Sequence, residues 1–298
     1  MFQERAENIK SFDGNELFFR VYTPSKNTFS ESKLAGVVLA VHGFGEHSGR
    51  YEHVAKAICS QNLAFAIFDI RGHGKSGPKR GDAENLHAMV LDVIFMTNHV
   101  KQLLGVTKQK DSFFGLMGHS FGSLLVTYAA AHLADSCPPV FLSSPCYGIK
   151  KSIPGWKKFL ANSVAKYLPQ LTAPIGIPSE DLSNNPENNI AAEEDTLRLT
   201  TITARMGNTF LCAVEEKKII QAIRLISAPV TIVAAEDDKL VKVDVTKKCV
   251  PYFSHNDSSL RVLQGAGHEI FNEIDPIRNE ALADLLHWTQ RKYELKLE

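Results

Sequence analysis

The sequence predicts an α/β protein: a mostly parallel, doubly wound sheet with helices on both faces and a helical insertion late in the chain. Three observations carry this. Short apolar runs rich in Val, Ile and Phe alternate with helical patterns along most of the 298 residues, as strands buried on both faces must. That rhythm breaks over residues 149–226, where no convincing buried strand is found. The opening stretch "SFDGNELFFRVYTP" reads as two short strands around an Asp13-Gly14 turn, which adds antiparallel strands at one sheet edge.

The elements follow in order. "AGVVLAVHG" is a buried strand, "RYEHVAKAICSQN" a helix, and "LAFAIFDIRGHG" a strand ending in a glycine-rich turn. "NLHAMVLDVIFMTNHVKQLL" is a long helix and "SFFGLMG" a third buried strand. The helix "GSLLVTYAAAHLA" and the strand "PPVFLSSP" come next. After the interruption come the strand "APVTIVAA", the helix "VDVTKKCVPYF", the strand "SLRVLQGA" and the helix "PIRNEALADLLHWTQRKY". Residues 1–148 and 227–298 thus form the core, and 149–226, with their polar "IPSEDLSNNPENN", form a helical cap. A cap inserted between two sheet strands belongs over the strands' carboxyl ends, where open α/β sheets bind ligands.

Composition narrows the function. Lys+Arg and Asp+Glu both number 33, so no bulk field draws in nucleic acid. The start, "MFQERAENIK", lacks the apolar core of a secretory signal, and no apolar run reaches the length of a membrane span. Five cysteines without paired spacing suit a reducing compartment and argue against a disulfide framework or zinc site. A cytoplasmic protein is the expectation.

The chemistry is written at Gly118-His119-Ser120-Phe121-Gly122, between an apolar strand and a helix. A sharp strand-to-helix turn lifts the serine oxygen above the sheet and crowds the neighbouring backbones, which glycine flanks relieve. Ser120 also sits at a helix N-terminus, where free N–H groups stabilise developing negative charge. A serine hydroxyl is a weak nucleophile and needs an oriented base. In this strand–turn–helix setting the partners follow in the order acid, then histidine. "LQGAGHEIFNE" places His268 after the last strand, and "TIVAAEDDKLV" offers Glu236, Asp237 and Asp238 after the one before. Asp238 is preferred, with Asp237 the alternative. Two amides would serve the oxyanion: that of Phe121, after the nucleophile, and that of Phe44 in "VHGFGEHSGRY". His42 and His47 lie in the same loop without carboxylate or thiolate company at ligand spacing, so neither metal nor cofactor is expected. In "DIRGHGKS", Asp69 and Arg71 read as pins for the turn.

Together, "HGFGEHSGRY", "FDIRGHGKSGPKRG", "GHSFGS", "AAEDDKLV" and "GAGHEIFNE", with "SEDLSNNPE" and "ITARMG" in the cap, resemble the α/β-hydrolases of the monoglyceride lipase and bacterial lysophospholipase family, of the serine aminopeptidase S33 type. The likeness runs from about residue 11 to 290. It implies Ser120, Asp238 and His268 as catalytic triad, Phe44 and Phe121 as oxyanion donors, and a lid that admits an acyl chain. It selects Asp238 because the family's acid precedes a basic and two apolar residues, here Lys239-Leu240-Val241. Animal monoglyceride lipases carry a second histidine three residues after the catalytic one. Phe271 stands there in this chain, closer to the bacterial lysophospholipases and away from strict monoacylglycerol preference.

In the cap, "WKKFLANSVAKYL" puts Trp156, Phe159, Leu160, Val164, Tyr167 and Leu168 on one helical face beside Lys157, Lys158 and Lys166. Such a helix either packs on the core, or lines an acyl tunnel and touches a lipid surface. The expected function is hydrolysis of single-chain acyl lipid esters through an acyl-enzyme, with peripheral membrane contact through the cap. Two rivals stand beside it. An aminopeptidase or amidase of the same fold would need a cap carboxylate such as Glu193 or Glu194 for a substrate amine. A non-catalytic binding protein would usually have lost a triad residue. A dehalogenase or epoxide hydrolase would need aspartate at Ser120.

Overall fold

A computed structural model describes residues 2–25, 34–106, 112–151 and 155–294, with the side chains of 155–159 and 291–294 outside that description. The chain opens with β1 (Phe2–Lys10) and β2 (Glu16–Pro24), followed by β3 (Gly36–Val41), α1 (Glu52–Cys59) and β4 (Leu63–Phe68). Next come α2 (Leu86–Leu103), β5 (Phe113–His119), α3 (Phe121–Leu133) and β6 (Val140–Ser143). The inserted segment holds α4 (Gly155–Tyr167), β7 (Thr172–Pro174), α5 (Pro186–Glu194), β8 (Thr201–Thr203), α6 (Ala204–Ala213) and α7 (Glu216–Arg224). The core resumes with β9 (Val230–Ala235), α8 (Val243–Cys249), β10 (Ser259–Leu263) and α9 (Ile277–Glu294).

Eight strands form one sheet in the order β1-β2-β4-β3-β5-β6-β9-β10. β1 and β2 pair antiparallel, β2 runs antiparallel to β4, and every further pair is parallel. This is the predicted α/β-hydrolase architecture, with the hairpin at one edge. The hairpin differs in one respect: its first strand lies in the charged "FQERAENIK" stretch, upstream of the quoted segment, with Lys10 opposite Glu16.

The side chains of the strands explain the double winding. In β3, Val37, Leu39 and Val41 join one apolar cluster with α2, α3 and α7, whereas Val38 and Ala40 join another with α1 and α9. A period of two thus feeds two helical layers, and each large apolar side chain so buried contributes about 1.5–3 kcal/mol. Asn85 starts α2 by accepting a hydrogen bond from the Ala88 amide at 2.9 Å. Arg71, fully buried, makes a two-nitrogen ion pair with Asp92 of α2 at 2.7 and 2.9 Å and reaches Asp13 of the hairpin turn at 2.9 Å. It pins more than its own turn. Asp69 does pin the turn, accepting from the Ser48 and Lys75 amides at 2.6 and 2.8 Å.

Among its described residues, the segment 149–226 adds no strand to the main sheet; its short β7 and β8 pair with each other. Asp82, in the core, holds it through Thr203 Oγ1 at 2.7 Å and through Arg205. α7 buries Ile219, Ala222 and Ile223 in the same cluster as α3. Leu160 and Tyr167 of α4, and Leu168 just after it, are exposed, so this part of the face does not pack on the core. Trp156, Lys157, Lys158 and Phe159 lie outside the described side chains. Among the described residues no helix is long and apolar enough to cross a membrane.

Candidate active site

Strand order reverses beside β3: β4 lies on one flank and β5 on the other. Loops leaving the carboxyl ends of β3 and β5 therefore diverge and open a crevice between them. The loop after β3 carries Phe44, and the turn after β5 carries Ser120.

Ser120 has φ 52° and ψ −118°, a conformation that costs a non-glycine residue about 1–3 kcal/mol. Its surroundings enforce it. The Ser120 amide donates to Ser143 O at 2.9 Å, and Ser120 O accepts from the amides of Cys146 and Leu124 at 3.2 and 3.3 Å. The flanking glycines are required by space. A Cβ on Gly122 would lie 2.2 Å from Val41 O, and one on Gly118 would lie 2.6 Å from Ser123 Cα. The glycine pattern read in the sequence is thus a record of contact between the β3 end, the turn and α3.

Asp238 leaves the end of β9, and His268 sits in the loop after β10. His268 Nδ1 lies 2.6 Å from Asp238 Oδ2, and its Nε2 lies 2.8 Å from Ser120 Oγ. All three residues are buried. Asp238 Oδ1 accepts from the Leu240 and Val241 amides, both at 2.8 Å. Burial works to raise the Asp238 pKa, but His268 and these amides outweigh it and hold the carboxyl below its usual range. Burial works to lower the His268 pKa, but Asp238, with Glu269 and Glu46, carries it above the ordinary histidine value. Glu236 and Asp237, the competing acids, are exposed.

Phe44 and Phe121 stand face to edge, ring centroids 5.4 Å apart, and among the described residues neither amide finds an acceptor. His42 is buried beneath this loop: Nδ1 bonds Gly43 O at 2.8 Å, and Nε2 accepts from the Ile70 amide at 2.9 Å. Burial pushes its pKa down to about 3, so the ring is a neutral brace. His47 bonds Asp195 of the inserted segment at 2.7 Å. Among the described residues no group of three His, Cys, Asp or Glu side chains is arranged to hold a metal ion, and the five cysteines are free.

Ser120 and His268 open onto a cavity of about 790 Å³, walled by Phe44, Val164, Leu171, Ile175, Ile202 and Phe210 among others. Most of those apolar walls come from the inserted segment. Charged groups that sequence reasoning missed gather at the serine end. Arg50 donates to Glu269 Oε2 at 2.6 Å, and Tyr51 donates to Glu46 Oε2 at 3.1 Å. Burial and the nearby Glu269 push the Glu46 pKa up to about 7. His119 Nε2 is 3.5 Å from Glu46 Oε1, but burial and the neighbouring His268 hold the ring neutral, so the two make no ion pair. Adjacency to His268 was the one signal for Glu269; Glu46 and Arg50 had none beyond their place in the loop. Phe271, which stands where animal monoglyceride lipases carry a second histidine, does not line the cavity. Its ring is buried towards Phe141 at 6.3 Å.

Residues 32–275 match the family model described as serine aminopeptidase, S33. A monoacylglycerol lipase of Mycolicibacterium smegmatis is 28% identical over 283 residues, covering 92% of this chain and 93% of that protein. An uncharacterized abhydrolase domain-containing protein of Dictyostelium discoideum is 27% identical over 293 residues, covering 97% of this chain but 29% of that protein's length. Among solved structures, a soluble variant of monoglyceride lipase from Saccharomyces cerevisiae, in complex with a substrate analog, aligns with TM-score 0.81. The alignment is 21% identical and covers 97% of this chain and 94% of that one, a likeness of fold.

Proposed function

Since the chain belongs to the serine aminopeptidase, S33 family, we propose that it is a serine carboxylester hydrolase releasing a fatty acid from single-chain acyl lipids, as a lysophospholipase or monoacylglycerol lipase does. One observation carries this reading: an unbroken hydrogen-bond chain from Ser120 through His268 to Asp238 at the end of a large apolar cavity.

Ser120 Oγ attacks the ester carbonyl while His268 Nε2 takes its proton. Asp238, ionised and held by two amides, keeps Nδ1–H in place and stabilises the imidazolium. The Phe44 and Phe121 amides bind the oxyanion, an interaction stronger in the transition state than in the ground state. Nε2–H then protonates the departing alcohol. Water, deprotonated by the same nitrogen, releases the fatty acid from the acyl-enzyme, and no cofactor is needed. Residues 149–226 act as the cap that receives the acyl chain. The exposed Leu160, Tyr167, Leu168 and Leu171, with Lys166 beside them, form the edge that rests on a lipid surface.

The amidase reading has weaker support, because Glu193 and Glu194 are exposed on α5. A substrate panel on the purified protein tests the choice. Monoacylglycerols and lysophospholipids are cleaved, whereas triacylglycerols and diacyl phospholipids are poor substrates. Cleavage of aminoacyl amides alone would overturn the lipid reading.

A further inference from the structure

The sequence "SEDLSNNPE" in the inserted segment has no part in the chemistry just described, yet it touches the loop that carries His268 at several points. That loop, from Gly265 to Glu273, lies between β10 and α9 and has neither a strand nor an α-helix of its own. Its backbone bond to the β9 side is Asp237 N to Ala266 O at 2.9 Å, before His268; a second, Glu236 N to Leu263 O at 3.0 Å, is made by the end of β10.

The residues on either side of His268 are held from the inserted segment. The Glu269 amide donates to Leu182 O at 2.7 Å. The Gly267 amide donates to Glu273 Oε1 at 2.8 Å, and the same oxygen accepts from the Asn184 amide at 2.8 Å. Asn184 Nδ2 also donates to Gly265 O at 2.9 Å. Asn188 Nδ2 reaches Glu269 Oε2 at 3.1 Å, and Asn188 Oδ1 accepts from Arg50 at 3.0 Å. The backbones are in contact as well: a Cβ on Gly267 would lie 3.1 Å from Ser183 Cα and 2.7 Å from Glu273 Oε1. Glu273 is fully buried.

The clamp is itself preorganised. Asn185 caps α5, accepting from the Glu187 and Asn188 amides, with Pro186 in the first turn. Asn189 Nδ2 donates to Ser183 O at 2.8 Å, and Asn188 Nδ2 donates to Ser183 Oγ at 3.1 Å. A polar, Asn-rich stretch that reads as a linker thus folds into a fixed surface.

We propose that Leu182–Asn188, acting with Glu273, is a positioning clamp for the catalytic histidine, so that this part of the cap belongs to the catalytic scaffold and does not move as a lid. Asn184 and Glu273 are positioning residues: they touch neither substrate nor Ser120, and they act through the backbone before His268. The inference rests on the role of His268 as proton acceptor given above. A displacement of about 1 Å at a reacting group can lower a rate by about 10²-fold, and the stretch of the loop before His268 has no helix or strand of its own to prevent it.

The test compares Glu273→Ala, Glu273→Gln and Asn184→Ala with the parent on a short soluble ester and a long-chain monoacylglycerol. Glu273→Ala should lower kcat by about 10²-fold on both esters with KM unchanged, and Asn184→Ala by about tenfold. Glu273→Gln keeps the accepting oxygen and should restore most of kcat. Glu194→Gln, exposed at the far end of α5, should match the parent. If Glu273→Ala does not fold by circular dichroism, Asn184→Ala decides, since that side chain is exposed. Unchanged kcat in Asn184→Ala and in folded Glu273→Ala, a change in KM alone, or a loss confined to the long-chain ester would overturn the clamp. Should the parent hydrolyse neither ester, the lipid reading fails separately. The rate at which a fluorophosphonate labels Ser120 then reads the clamp, and equal rates in parent and variants overturn it.

Discussion

The turn that carries Ser120 and the loop that carries His268 meet at a single 2.8 Å hydrogen bond, and they are built by different means. The serine turn is determined by its neighbours in sequence: two glycines, a strand before, a helix after. Its strained backbone is held by β6, through Ser143 O, and by contact with the end of β3. The histidine loop has no comparable steric device, and its one short 3-10 turn, Ile270–Asn272, comes after His268. Its geometry is set by Asn184 and Leu182, more than eighty residues earlier in the chain, and by Glu273. Ser120 is thus held by crowded backbone, and the loop of His268 by hydrogen bonds, several of them from residues 182–188.

The largest effect expected is from Ser120→Ala, which removes the attacking atom from an intact turn. Turnover should fall by about 10⁶-fold, fluorophosphonate labelling should vanish, and the melting temperature should hold. Retained activity, with label on another serine, would break the mechanism on the serine side. Asp238→Asn should cost about 10⁴-fold by leaving the wrong histidine tautomer favoured, measured as kcat on the short ester. Asp237→Asn, on an exposed carboxylate, should stay near the parent rate. The reverse ranking would show that the acid lies elsewhere on the loop.

Two alanine substitutions at glycine sharpen the contrast. Gly122→Ala forces a methyl to 2.2 Å from Val41 O, a backbone atom of a buried strand that cannot give way. Denaturant unfolding should show a loss of about 3 kcal/mol or more. At Gly267 the nearest obstacle is the end of the Glu273 side chain, which can turn aside. Gly267→Ala should cost about 1 kcal/mol in stability and show its main effect on kcat. If the two lose equal stability, the distinction between steric and hydrogen-bonded construction fails.

The smallest effect is on pH dependence. His268 accepts a proton only when neutral, and its pKa lies above the ordinary histidine value. The acid limb of kcat/KM should therefore sit above pH 6.5, with activity lost as pH falls through it. Stability linked to this group runs the other way. A raised folded-state pKa contributes fully below the unfolded value and is lost as pH rises through the folded one. An acid limb below the ordinary value would show that Asp238 does not support the imidazolium.

The same contrast explains what the sequence could disclose. The central strands β3, β4, β5 and β6 were legible because each is a short buried run, mostly apolar, between turn residues, and the serine turn because its rule is local. The candidate site residues were read from strand ends: Ser120 after β5, Asp238 after β9, His268 after β10. Residue types alone left Asp237 beside Asp238. What separates them is the inward orientation that the Leu240 and Val241 amides impose. β1 was missed because its side chains are mostly exposed, so pairing with β2 and not apolar alternation defines it. β7 and β8, three residues each, carry no periodicity to read. Arg50 and Glu269 stand 219 positions apart, and nothing local in either points to the other.

On the proposed lipid reading, the cavity beside Ser120 also acts as a ruler. An acyl chain lying along Ile175, Ile202 and Phe210 exchanges water for apolar wall with each carbon. Every buried methylene contributes about 0.8 kcal/mol, or about a fourfold gain in affinity. That increment lasts until the chain outgrows the roughly 790 Å³ available. In a homologous series of esters, the logarithm of kcat/KM should rise in even steps with carbon number and then level off. The carbon number at the break measures the depth of the protein in units of the substrate.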